Sequence, residues 1–451
     1  MLVFDPLNSD YPSQLFSAIG RKLYLNSELA DVHFVFGPND HYERVPVNKA
    51  HLMAASDVFA TMFNGSWKEK DEVEIADTSA AAFKEFLQFF YFGQVKLTME
   101  NVGAVMNLGE MYNVAECLAV CSKFLKNNLN EENVCRHYRL AILFNQHKLK
   151  QSCETIIGFN TNSVFNSTDF LACDRTVLAE ILELDWLSCT EVELFEACMS
   201  WVRASSKKDV LSKSLMRAHL GDLFHEIRFG SMSFQEFSSL IPSYGQLFNA
   251  SEYGTIIQMI ADDDFEGTSF NGNRVKRFDS DPWNEEDVII CNRLLMNYKS
   301  IKPYFLKNLE TTKFSTNEPL LLKDFAMARI SKHRNGKYNN CEDVPTEFTI
   351  IEVSGSGDSR KEVEKYNGKA NLESATSTYV GILKPILIKP GFMYEIRLKQ
   401  NPPENCSIGV RLKSMVQMMD GITIQFHDDP LVRGDISSTG LVYGIDFYRI
   451  E

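Results

Sequence analysis

A change of hydrophobic period past residue 262 restricts the fold of this chain more than any single motif. From Phe83 to about residue 262, apolar residues recur every three to four positions, as on the buried face of a helix. Examples are Phe83, Phe86, Leu87 and Phe90; Leu118, Cys121 and Leu125; Val134, Tyr138, Ala141 and Phe144; and Leu149, Cys153 and Ile156. After residue 287 the apolar residues come in short runs between turn residues, at 348–353, 394–398, 421–426 and 441–448. Short strands repeated over such a length predict a β-sandwich. Between the two regimes lies a polar, turn-rich stretch with Asp262, Asp263, Asp264, Gly267, Gly272 and Pro282. It reads as a linker over 263–287. Arg274, Lys276 and Arg277 within it read as a solvated charge run, with a targeting patch as the alternative.

The first 126 residues mix both periods. Leu15, Ile19 and Leu23, spaced i, i+4, i+8, predict a helix over 13–25. Residues 31–37 alternate as a half-buried strand does, and Val45-Pro46-Val47 is a short extended piece. A single helix is then expected through Leu52, Ala55, Phe59 and Met62, ended by Asn64-Gly65. Asp77-Thr78-Ser79 caps the next helix and Gly93 lies just past its end. Further on, Thr190-Glu191-Val192-Glu193 is a capping box: hydroxyl and carboxylate satisfy backbone donors reciprocally.

A formal net charge of −14 argues against a nucleic-acid binder, which needs a basic face. The start of the chain lacks the basic and apolar regions of a signal peptide, and no apolar run is long enough to span a bilayer. Neither secretion nor a membrane partner is therefore expected. The ten scattered cysteines read as reduced thiols, in the cytoplasm with the nucleus as the alternative. No catalytic constellation stands out, and no enzyme activity, cofactor or metal is expected. Gly355-Ser356-Gly357-Asp358 lacks the Lys-Ser/Thr of a phosphate loop. Cys117, Cys121, Cys135 and His137 are better read as core groups than as zinc ligands, since Cys121 lies on an apolar stripe.

The segment over 45–69, with Asp31, Val32 and Gly37 before it and Tyr91 after it, resembles a BTB (POZ) domain. The matching residues are Val45, Pro46, Lys49, Ser56, Val58, Phe59, Met62, Phe63 and Glu69. Asn48 stands where that family usually has His. Residues 193–201, together with Ile227 to Met232 and Glu236-Phe237, resemble the BACK domain that commonly follows BTB. Stretches at 313–325 and 385–396 look like a PHR domain. The resemblance implies a multidomain α+β protein: an α/β BTB/POZ domain over 1–126, an all-α BACK domain over 127–262, and a PHR-like β-sandwich over 288–451.

It further implies a homodimer, with the helix bearing Leu15, Ile19 and Leu23 crossing to the partner and Asp31 and Lys49 near the interface. A helix packed on its own domain and an ordinary intradomain ion pair are the alternatives. Trp67-Lys68-Glu69 resembles the hydrophobic-x-Glu motif by which BTB adaptors engage cullin-3, with Met62, Phe63 and Tyr112 expected on the same surface and residues 133–145 completing it. A loop residue covering its own core is the alternative. Such an arrangement implies a non-enzymatic substrate adaptor of a cullin-3 ubiquitin ligase that recruits an unidentified target protein through its β domain. A dimerising scaffold that binds no cullin is the competing expectation.

Overall fold

The computed structural model describes residues 18–37, 42–64, 72–93, 95–265, 269–277, 288–294, 304–334, 337–355, 360–408, 412–418, 421–427, 437–438 and 440–449. Two compact units divide the chain. One comprises the described residues of Met1–Glu154 and Ser167–Glu180; the other, those of Thr155–Asn166 and Ile181–Glu451.

The first unit opens on a three-stranded sheet. Val32–Phe36 is central, antiparallel to Glu43–Val47 and parallel to Glu72–Ile75. Val32, Phe34 and Phe36 face the core at period two. A helical stretch connects the outer strands: Lys49–Ala55 and Asp57–Asn64. Here the structure corrects the sequence reading, which expected one helix. Ser56 is extended, with φ −148° and ψ 120°. Its hydroxyl donates to the Tyr112 carbonyl at 2.6 Å and accepts from the Phe59 amide at 3.2 Å. It therefore caps the second helix and resets the helical phase, which leaves Ala55 exposed while Leu52 and Phe59 are buried. Helix Ala80–Phe92 then covers the sheet, with the Phe83 and Phe34 rings 4.6 Å apart. Ser79 caps its start, and Gly93 ends it at φ 64°, a conformation that suits a residue without Cβ. Helices Val102–Met111 and Ala115–Asn127 come next.

Helices continue from Val134–Leu143 to Ala250–Ala261. Three of them start in capping boxes: Thr190 with Glu193, Ser233 with Glu236, and Asn249 with Glu252. Thr190→Ala should cost about 1 kcal/mol through loss of the bond to the Glu193 amide. Thermal unfolding against Thr190→Ser, which keeps the acceptor, tests this. Phe195, Phe224, Phe229 and Phe248 form the aromatic centre of this helical part, and Phe270 joins them, 5.3 Å from the Phe229 ring.

Phe270 lies in the stretch expected to be a linker, and its neighbours correct that reading further. Arg277 is only 1% exposed and pairs with Glu191 at 3.2 Å. It also donates to the Leu184 carbonyl. Arg274 donates to the carbonyls of Met259 and Phe265. Residues 269–277 are thus docked on the helices, and the basic trio is not a solvated run. Only Lys276 is half exposed, 3.7 Å from the Glu236 carboxylate.

The C-terminal region is a sheet-on-sheet sandwich of antiparallel strands. One sheet has six strands in the order Lys361–Leu372, Val344–Ser354, Met393–Gln400, Leu309–Thr316, Thr423–Phe426 and Met415–Gln417. The sheet facing it has four, in the order Thr378–Ile388, Leu320–Met327, Val442–Arg449 and Val288–Asn292, and two smaller sheets flank them: Tyr304–Phe305, Cys406–Ile408, Ser331–Arg334 and Lys337–Asn339, and the pair Leu412–Lys413 with Ser437–Ser438. The inner faces of the two larger sheets share one core: Phe314 lies 6.2 Å from Phe447, and Phe325 lies 5.3 Å from Phe348. The stretch 313–325 crosses from one sheet to the other within a few residues, at Asn317 to Pro319. Gly421, at φ 80°, turns the hairpin that pairs Met415–Gln417 with Thr423–Phe426. Among the described residues no helix is long and apolar enough to cross a membrane.

Candidate protein-binding surface

The helix pair that ends at Asn64 is held from beneath by aromatic rings. Phe59 stacks on Tyr112 at 4.1 Å and lies 6.2 Å from Phe63, and Phe86 stacks on the far side of the group, 5.9 Å from Tyr112. Phe63 is 3% exposed and Tyr112 2%. Both were expected to line a docking surface, and the structure places both in the core. The reason is geometric: an aromatic residue one helical turn from Phe59 shares its buried face. Burial also pushes the Tyr112 phenol up to about 12. Met62 alone of the described set is partly exposed. Trp67 and Glu69 lie outside the described residues.

The strand-to-helix junction is held by polar contacts. Asn48 donates its side-chain amide to the Leu29 carbonyl and accepts from the Tyr91 hydroxyl at 3.1 Å, while its backbone amide donates to that hydroxyl at 2.9 Å. An asparagine supplies one donor and one acceptor here, as a neutral histidine would. The Asp31 carboxylate is bound differently from the ion pair expected: it accepts from the Lys49 backbone amide at 2.7 Å, and the Lys49 ammonium sits 5.5 Å from the Phe63 ring centre. Asp31 remains exposed.

Helical residues 18–23 pack on their own domain at one end. Gly20 lies so close to Tyr91 that a Cβ would fall 2.0 Å from its carbonyl oxygen. Tyr24 donates to the Lys84 carbonyl at 2.9 Å and its ring meets Phe92 at 5.0 Å. Ile19 points to solvent and Leu23 is half-buried. Leu15 lies outside the described residues.

Residues 133–145 form helix Val134–Leu143 with its flanks. The Ser122 hydroxyl donates to Gln146 at 2.7 Å, tying the last helix of the preceding domain to the turn after this one. On its inner side Tyr138 donates to Glu154 at 3.0 Å, and His137 is fully buried with no described partner for either ring nitrogen. On its outer side Arg139 pairs with Asp174 at 2.9 Å. Three exposed apolar residues of this unit, Met111, Val120 and Leu143, escaped the sequence reading. The signal was present: Val120 and Leu143 each fall off the buried stripe of an amphipathic helix.

Residues 21–129 match the BTB/POZ domain model, and residues 134–242 match the model described as BTB And C-terminal Kelch. The chain therefore carries a BTB/POZ domain followed directly by a BACK domain. Among curated relatives, it is 32% identical over 219 residues to BTB/POZ domain-containing protein 6-A of Danio rerio, covering 48% of this chain and 41% of that one. It is 31% identical over 220 residues to BTB/POZ domain-containing protein 3 of Homo sapiens, covering 48% and 42%. The match thus takes in less than half the length of these relatives. The solved BTB (Tramtrack and Bric a brac) domain of human Gigaxonin matches at 24% identity over 28% of this chain and 97% of that one, with a TM-score of 0.23.

Proposed function

We propose that this protein is a non-enzymatic substrate adaptor of a cullin-3 ubiquitin ligase, acting in the cytoplasm. In this reading the BTB domain forms a homodimer through residues 13–25 with Asp31 and Lys49 nearby. Trp67 and Glu69, with Met62, engage the cullin: an apolar anchor beside a charge that sets register. The PHR-like β domain brings the target. The adaptor contributes no reacting group; holding two proteins together raises their effective concentration for ubiquitin transfer. One observation carries most of the weight: the BTB helices and helix Val134–Leu143 belong to the same compact unit, as a continuous cullin clasp requires.

Capture on immobilised cullin-3 tests the reading. The unmodified chain should be retained, and Trp67→Ala with Glu69→Lys should lower retention at least tenfold while the dimer persists in size-exclusion chromatography. Failure of the unmodified chain to bind would leave the second reading, a dimerising scaffold without a cullin. That reading draws on the burial of Phe63 and Tyr112, which removes two residues from the expected contact.

A further inference from the structure

Eight of the ten cysteines are buried; Cys173 and Cys341 are partly accessible. Cys341 has a second thiol beside it. Its sulfur lies 4.0 Å from that of Cys406, 65 residues further on. Cys406 is only 2% exposed and belongs to the core of the sandwich, whereas Cys341 packs against the edge of that core. The pair therefore has one thiol that reaches solvent and one behind it.

The two backbones are held unequally. Strand Cys406–Ile408 lies between Tyr304–Phe305 and Ser331–Arg334, so it is paired on both sides. The Cys406 amide also donates to the Pro403 carbonyl at 3.1 Å. Cys341 sits in the connection 340–343 between strands Lys337–Asn339 and Val344–Ser354, where its amide donates to the Ser374 hydroxyl at 3.1 Å. A fixed thiol thus faces one carried on irregular backbone. A disulfide spans about 2 Å, so the sulfurs must close by about 2 Å, which rotation at Cys341 and a small shift of its connection can supply.

We propose that Cys341 is a site of oxidation by hydroperoxides, with Cys406 as the resolving thiol that turns the product into a reversible disulfide. This inference goes beyond the adaptor reading and does not depend on it. The thiolate is the reactive form of cysteine. Burial, and then Cys341 itself, push the Cys406 thiol up to about 12, so Cys406 keeps its proton and Cys341 supplies the thiolate. That thiolate attacks one oxygen of hydrogen peroxide. The O–O bond breaks, and the departing hydroxide takes up the proton that the Cys341 thiol released. Cys341 is then a sulfenic acid, which a thiol condenses with. The Cys406 sulfur attacks the Cys341 sulfur, the S–O bond breaks, and the Cys406 proton leaves with the hydroxyl as water. The two thiols lose two electrons, and the peroxide ends as two waters. The exposed carboxylates of Glu342 and Asp343 follow Cys341, so a small neutral peroxide meets it more readily than the anionic glutathione disulfide. The product closes a loop carrying four sandwich strands: Val344–Ser354, Lys361–Leu372, Thr378–Ile388 and Met393–Gln400. Such a cross-link restricts the unfolded chain far more than the folded one.

The test treats the reduced full-length chain with hydrogen peroxide under native conditions, blocks the remaining thiols with N-ethylmaleimide and maps the peptides by mass spectrometry. Peptides joined through Cys341 and Cys406 should be the main cross-linked product and should separate after dithiothreitol. Glutathione disulfide at the same concentration should give about tenfold less of that product. Cys406→Ser removes the resolving thiol, so dimedone labelling of Cys341 after peroxide should rise about tenfold over the unmodified chain. The mapping itself needs no substitution, so it decides the matter even where that variant misfolds. Absence of the Cys341–Cys406 link, an equal yield from the two oxidants, or a folded Cys406→Ser chain with no gain in dimedone labelling would overturn the proposal.

Discussion

Glu191→Ala is expected to destabilise the helical part of the chain by about 3–5 kcal/mol, the usual consequence of removing one member of a buried ion pair. Glu191 accepts from the Arg228 backbone amide at 2.7 Å with one oxygen and from the Arg277 guanidinium at 3.2 Å with the other. Without it a nearly inaccessible cation keeps only carbonyl partners. Burial already pulls the Arg277 pKa below its ordinary value, with Glu191 opposing that trend. The size of the effect reflects the stranded charge, not a large net gain from the pair. Arg277→Met in the same chain should therefore recover most of the loss, since an apolar residue of similar volume leaves nothing unpaired. Calorimetric unfolding of the two single variants and the double variant gives the coupling energy directly. Near-additive losses would show that the pair is not coupled in this way.

Acid should weaken the first unit through His137. Burial, reinforced by the neighbouring Arg136 charge, lowers its pKa to about 4 from an ordinary 6.5. The unfolded chain therefore binds a proton that the folded chain refuses. The stabilising effect is complete above pH 6.5 and declines as pH falls from there through about 4, below which both states are protonated. A shift of that size corresponds to about 3 kcal/mol. His137→Leu should remove that slope and be near neutral at pH 7.5, because neither ring nitrogen has a described partner to lose. Urea midpoints from pH 7.5 to 4.5 for both chains decide the matter. Parallel profiles would assign the acid response to carboxylates instead.

What the sequence made legible was what short-range chemistry decides. Ser79, Gly93 and the Thr190–Glu193 box act within a few residues, and each stands where its residue type placed it. The stripes through Val134, Tyr138, Ala141 and Phe144 are buried as their spacing required. The misreadings share a different cause. Ser56 breaks a helix because its hydroxyl finds a carbonyl 56 residues away, and no local pattern contains that partner. Arg277 looked solvated because Glu191, 86 residues earlier, is invisible in a window around it. Phe63 and Tyr112 fitted a surface or a core equally well until the rings of Phe59 and Phe86 were in place.

The two units interleave along the chain: Thr155–Asn166 groups with the C-terminal unit, whereas Ser167–Glu180 groups with the N-terminal one. No single peptide-bond cleavage leaves both units whole. A protease nick or a gene break at one point should strand a piece of one partner with the other, so this chain should resist evolution by simple module exchange. Expression of half-molecules should succeed best when the exchanged pieces are supplied in trans.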